Sequence, residues 1–229
     1  MTKNVMVTGG NRGIGLEIVR AFAQKGYKVL LACREEEKGE AAKKDIVGGD
    51  VHVVEMPLNN EQGIIDPYVR AEAVYGPIDV LINNAGELDD TKWQSLNTMS
   101  LTRSLQVNTF APFTLIQQAL PSMIERGYGR VVNMSSGWGS FHQGMEGPTA
   151  YAVSKAALNA LTVNLANTIP KDVDVTINAA CPGWVHTRMG GSDAPTSPKE
   201  GADTAIWLAT HDANGPNGKF FRERKEIGW

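Results

Sequence analysis

The sequence predicts an α/β fold, a doubly wound parallel sheet flanked by helices, and three observations carry that expectation. Apolar, strand-like runs at about 4–8, 28–33, 51–56, 79–84, 130–135 and 174–180 alternate with helical stretches. The first run leads directly into a glycine-rich turn and an amphipathic helix, the opening of a βαβ unit. No Pro-, Gly- or Ser-rich linker divides the 229 residues, and 42% of them are hydrophobic, so one domain over 1–229 is expected.

Taken in order, the apolar strand Asn4 to Thr8 is followed by Gly9, Gly10, Asn11, Arg12, Gly13, Ile14 and Gly15, then by a helix to about Lys25. Glycines at 9, 13 and 15 permit a tight turn, a close backbone approach to a pyrophosphate and close packing of helix on sheet. The helix N-terminus favours the anion. A sheet opened by such a turn is of Rossmann type. Gly26 ends the helix, and Tyr27 to Cys33 supplies the second strand. An acidic residue after that strand would accept hydrogen bonds from the adenosine ribose of NAD, whereas a cation would pair with the extra phosphate of NADP. The residue is Arg34, beside Glu35, Glu36 and Glu37, and Arg12 can approach the same phosphate. NADP(H) is therefore the expected cofactor.

The fourth strand, Val80 to Ile82, ends in Asn83, Asn84, Ala85 and Gly86, a turn of small residues that lets backbone approach a cofactor. The fifth, Val131 to Met134, ends in the hydroxyls of Ser135 and Ser136. Tyr151 and Lys155 stand four apart, placing a phenol and an ammonium one turn apart on a helix face. A phenol titrates near ~10, and roughly 4 kcal/mol of phenolate stabilisation would bring it about three units lower. A close ammonium is a source of that stabilisation. The sixth strand, Thr176 to Ala180, leads to Cys181, Pro182, Gly183 and Trp184, and a short last strand is expected near 219–221.

With the runs Thr8 to Gly15, Asn83 to Gly86, Asn108, Ser136, Tyr151-x-x-x-Lys155 and Pro182 to Thr187 in place, nearly the whole chain resembles the short-chain dehydrogenase/reductase family. Within it, Cys181-Pro-Gly-Trp-Val, Ser197 to Asp203 and the ending Gly218 to Trp229 look most like the carbonyl reductases. The resemblance implies NADPH-dependent reduction of a ketone or aldehyde to an alcohol. Tyr151 would protonate the carbonyl oxygen, Ser136 would hydrogen-bond it, Lys155 would lower the phenol pKa and hold the nicotinamide ribose, and Asn108 would hold a water linking lysine to solvent. The preference for Ser136 over Ser135 also comes from the family. The implied cofactor contacts are Gly9, Asn11, Arg12, Gly13, Ile14, Gly15, Arg34, Leu58, Asn84, Ala85, Gly86, Tyr151, Lys155, Pro182, Gly183, Val185 and Thr187. Leu58 enters through its backbone, because Glu55 to Asn59 puts Pro57 where the family often has an aspartate contacting adenine.

Substrate selectivity is expected in the loops 87–103, 137–149 and 184–198, at the carboxyl ends of strands. Trp93, Trp138, Phe141, Met145, Trp184 and Met189 are the candidate apolar wall. The Ser136–Tyr151 interval is wider than is common in the family and holds Gly144 and Gly147, which suggests a small lid. A 3-oxoacyl carrier-protein reductase is an alternative, but it needs a basic docking patch for which only Arg103 and Arg188 offer themselves. A non-catalytic NADP-binding sensor is a third, opposed by the intact Ser-Tyr-Lys set.

A net charge of −3 and a pI near 5.8 give no electrostatic footprint for nucleic acid or an anionic membrane. Cys33 and Cys181 read as small buried hydrophobes, and His52, His142, His186 and His211 lack ligand spacing, so no metal is expected. The first strand begins almost at Met1, leaving no room for a signal peptide, and a cytoplasmic protein is expected. By resemblance, long helices near 100–124 and 150–168 are those on which family members pair into a homodimer or homotetramer, although carbonyl reductases also include monomers.

Overall fold

A computed structural model describes residues 2–213 and 215–229. The strands are β1 (Asn4–Thr8), β2 (Lys28–Cys33), β3 (Asp50–Glu55), β4 (Val80–Asn83), β5 (Tyr128–Met134), β6 (Asp174–Ala180), β7 (Phe220–Arg222) and β8 (Lys225–Glu226). The helices are α1 (Gly13–Gln24), α2 (Glu36–Lys43), α3 (Gln62–Tyr75), α4 (Thr98–Leu105), α5 (Ala111–Glu125), α6 (Thr149–Ala166) and α7 (Pro198–Thr210). One sheet forms in the order β3-β2-β1-β4-β5-β6-β7-β8, parallel throughout except for the antiparallel pair β7 and β8.

All five residues of β1 are buried, because helices cover both faces of a central parallel strand. On one face Ile18, Val19 and Phe22 of α1 meet Ala202, Ala205 and Leu208 of α7. Their period follows the helix: α1 buries residues 15, 18, 19, 22 and 23. On the other face Ile64 and Tyr68 of α3 and Leu115, Ile116, Ala119 and Met123 of α5 form the second core. The winding reverses between β1 and β4, so the loops at their carboxyl ends diverge and leave a crevice.

Two features modify the sequence expectation. The rod expected near 100–124 is α4 and α5 joined through a π-helical turn at Gln106–Phe110, with Asn108 inside it and fully buried. After β7 the chain folds back as β8 through Glu223 and Arg224, at φ of 51° and 60°. At the opposite end of the sheet from the crevice, the buried Arg130 donates to the Asp174 carboxylate at 2.8 Å and to its backbone carbonyl at 2.7 Å, tying β5 to β6. No described helix is long and apolar enough to cross a membrane.

Candidate active site

The glycine turn is locked to the turn after β4. The Thr8 hydroxyl accepts the backbone N–H groups of Asn84 and Ala85, each at 3.0 Å, and the Asn84 amide donates to the carbonyls of Thr8 at 2.8 Å and Gly9 at 3.3 Å. The Asn84 side chain thus serves the turn itself. Gly9 and Gly13 sit at φ of 65° and 53°, where a side chain is strained. A Cβ on Gly15 would lie 2.3 Å from the Gly9 carbonyl oxygen. The backbone at Arg12, before α1, is extended and no side chain caps the helix, whose first turn also lacks an acid. Its leading N–H groups therefore fit a phosphate. Asn11 lies half-buried in the turn, and Ile14 packs against the α1 and α7 core. From across the crevice the Thr187 methyl carbon stands 3.3 Å from where a Gly13 Cβ would be.

Cations gather beside this turn. Burial, then Arg188, then Arg34 push the Arg12 pKa down, and Glu35 opposes them. Of the three acidic residues that follow it, Arg34 is paired with Glu35, to which it donates at 2.9 Å and which also takes Lys38 at 2.6 Å. Arg188 stands near enough to Arg12 to belong to this cluster. Arg103 is occupied by Glu87 at 2.8 Å. The Leu58 carbonyl accepts from the Gln106 amide at 3.2 Å, leaving its half-buried N–H as the group that could face a ligand.

At the ends of β4, β5 and β6 the structure brings Ser136, Tyr151, Lys155 and Asn108 together. Ser135 is buried and donates to Asn159 at 2.5 Å, whereas Ser136 is half-buried, accepts the Trp138 N–H at 3.2 Å and stands near enough to the Tyr151 phenol to draw its pKa down. The geometry thus separates two serines that the sequence could not. The Trp138 ring meets the Tyr151 ring edge-on, with centroids 6.1 Å apart. Gly86 marks the centre: a Cβ there would be 3.3 Å from Asn108 Oδ1, 3.6 Å from Lys155 Nζ and 3.9 Å from Met189 Cε. Asn108 donates to the Glu87 carbonyl and accepts the Glu87 N–H, both at 2.8 Å, and donates to Ser154 at 2.9 Å, so its side chain is fully engaged.

Burial governs the electrostatics. It pushes the Tyr151 phenol up to about 12, against the Ser136 hydroxyl, and the Lys155 ammonium down to about 8. The sequence suggested the reverse shift for the phenol. In the folded polypeptide desolvation prevails, and Lys155, 5.7 Å from the Tyr151 ring centroid, donates to the Met134 carbonyl at 2.7 Å.

The expected apolar wall is only partly formed. Trp138 and Met189 are at the site, and the Trp184 indole donates to the Gly190 carbonyl at 2.8 Å. Met145 is half-buried on a left-handed backbone at φ 52°. Trp93 and Phe141, 70% and 77% exposed, stand in solvent, and among the described residues no aromatic contact joins either to Tyr151. Pro182 and Gly183 turn the chain after β6, and buried Val185 bridges to Thr196. The Thr187 hydroxyl donates to the Val185 carbonyl at 3.3 Å and accepts the Gly190 N–H at 3.1 Å. The expected lid over 137–149 is pinned in its first half: Asn159 donates to the Gly139 carbonyl, Ser140 to the Gly228 carbonyl and the His142 N–H to the Trp229 carbonyl.

Residues 3–197 match a family model described as short chain dehydrogenase. Carbonyl reductase (NADPH) 1 of Mus musculus is 30% identical, with 98% of this chain and 97% of the mouse protein aligned. Acetoacetyl-CoA reductase of Rhizobium meliloti is 33% identical over 82% of this chain and 76% of that protein. The crystal structure of NADPH-bound carbonyl reductase from chicken fatty liver superposes with a TM-score of 0.85 at 25% identity, covering 100% of this chain and 99% of that one.

Proposed function

The chain belongs to the short-chain dehydrogenase family of oxidoreductases, and on that premise we propose that it reduces a ketone or aldehyde to an alcohol with NADPH. The observation that carries this reading is the meeting of the Ser136 hydroxyl, the Tyr151 phenol and the Lys155 ammonium at the strand ends next to the phosphate-ready start of α1. The glycine turn would hold the cofactor's phosphates, Arg12, Arg34 and Arg188 its negative charge, and Thr187 with the backbone at Val185 its nicotinamide end. When bound, the cofactor supplies hydride to the carbonyl carbon.

The chain's own residues manage the proton. Ser136 donates a hydrogen bond to the substrate oxygen and Tyr151 transfers its proton there as negative charge grows. A phenol held near 12 is fully protonated at neutral pH, as a donor must be. The phenolate left behind is stabilised by Ser136 and by Lys155. A 3-oxoacyl thioester is the second reading, supported by the likeness to acetoacetyl-CoA reductase. The pairing of Arg103 with Glu87 weighs against a carrier-protein dock. The groove between α5 and α6, lined by Leu120, Ile124 and Leu165 with the buried Ile116 at its floor, lies on the surface where two copies would pair.

The test is the loss of NADPH absorbance with aromatic ketones, aldehydes, diketones and an acetoacetyl thioester, repeated with NADH. Turnover with NADPH, absent in Tyr151→Phe, is expected. NADPH binding with no turnover on any of these carbonyls would favour a sensor instead.

A further inference from the structure

Arg222 closes β7 level with Cys181, whose N–H donates to the Phe221 carbonyl at 2.7 Å. Its guanidinium reaches two neutral acceptors on different elements: Nε donates to the Cys181 sulfur at 3.2 Å, and Nη2 to the Gln143 side-chain carbonyl at 2.8 Å. The second bond crosses directly over Gly137, the residue after Ser136, since a Cβ on Gly137 would overlap both Arg222 Nη2 and Gln143 Oε1 at 2.4 Å. Gln143 is held again by its own N–H, which donates to the Ser140 hydroxyl, and that hydroxyl donates to the Gly228 carbonyl. Beneath them Trp229 stacks on Phe220, with centroids 5.3 Å apart.

We propose that Arg222 is a positioning residue, which clamps the 137–149 loop against the Ser136 backbone through Gln143 so that the edge of the sheet fixes the mouth of the carbonyl pocket. A guanidinium fork suits this task because its rigid plane holds two acceptors in fixed directions. The clamp adds β7 to the holds that α6 and the C-terminal Gly228 and Trp229 already have on the loop. The effect on turnover rests on the reductase reading; the effect on the loop does not.

The experiment compares Arg222→Met, Gln143→Leu and the double variant. Removing a hydrogen bond to a charged group should raise KM for the carbonyl substrate about tenfold in each single variant. With only ground-state binding lost, kcat should hold within about twofold, and NADPH affinity should be unchanged. The double variant should be no worse than the worse single, because both remove the same bond. Amide hydrogen exchange at 140–146 should accelerate equally in all three. Wild-type KM and exchange in Gln143→Leu, or multiplicative effects in the double variant, would overturn the proposal. Gln143→Leu leaves the sheet untouched, so it decides the matter alone if Arg222→Met does not fold. If the wild-type protein reduces no carbonyl, the reductase reading fails while the exchange measurement still decides the clamp.

Discussion

The Lys155 ammonium donates to the Met134 carbonyl at 2.7 Å, so the helix that carries Tyr151 is held by a buried charge to the end of the strand that leads to Ser136. That placement opposes solvation, as the depressed Lys155 pKa records.

Stability should therefore rise in mild alkali. With Lys155 near 8 in the folded chain and at its ordinary 10.5 when unfolded, the unfolded state binds more protons between those values, and stability increases across that window. The gain is at most about 3 kcal/mol. Above pH about 10 the phenol reverses the trend, because the folded state, with Tyr151 near 12, then holds the extra proton. Urea midpoints at pH about 8 and about 10 check this. The wild type should gain and Lys155→Met should not.

Tyr151→Phe keeps the ring edge-on to Trp138 and removes only the donor. Turnover should fall by about 10²- to 10⁴-fold, the usual worth of positioned acid catalysis. NADPH should still bind, as read by fluorescence titration, so that the loss lies in kcat.

The guanidiniums should separate by ligand. Arg34→Ser should weaken NADPH about tenfold or more and leave NADH unchanged, if Arg34 answers the extra phosphate. Arg188→Ser should weaken both cofactors by a similar factor, because its neighbour Thr187 faces Gly13 of the turn shaped for the pyrophosphate they share. Calorimetric titration of both cofactors into both variants distinguishes the roles.

Two glycines should respond differently to alanine. Gly15→Ala forces a methyl against the Gly9 carbonyl and should cost about 1–3 kcal/mol while weakening NADPH. Gly26, at φ 77° with nothing within 4 Å, carries conformational strain alone, so Gly26→Ala should cost about 1 kcal/mol and leave the cofactor affinity intact. Thermal melts and dissociation constants for both variants test the contrast.

Much of this was legible in the chain because parallel strands covered on both faces read as unbroken apolar runs, and because Tyr151 and Lys155 keep helical spacing. Strand β8 was not, since its turn places Glu223 and Arg224 at positive φ without the glycine or asparagine that signals such a turn. Trp93 and Phe141 show a second limit: size and apolarity do not say whether a loop residue faces a pocket or solvent. The shifts of Tyr151 and Lys155 depend on burial by distant segments, which helical spacing cannot report. Arg188 could be found only once Thr187 was seen against Gly13.

The π turn at Gln106–Phe110 makes the site depend on a residue count. Each residue advances an α-helix by about 100°, so deleting one within this turn would rotate Asn108 away from Glu87 or shift all of α5 against the sheet. Substitutions along this helix can be absorbed by local repacking, whereas a single-codon insertion or deletion changes its phase, and no side chain downstream can restore it.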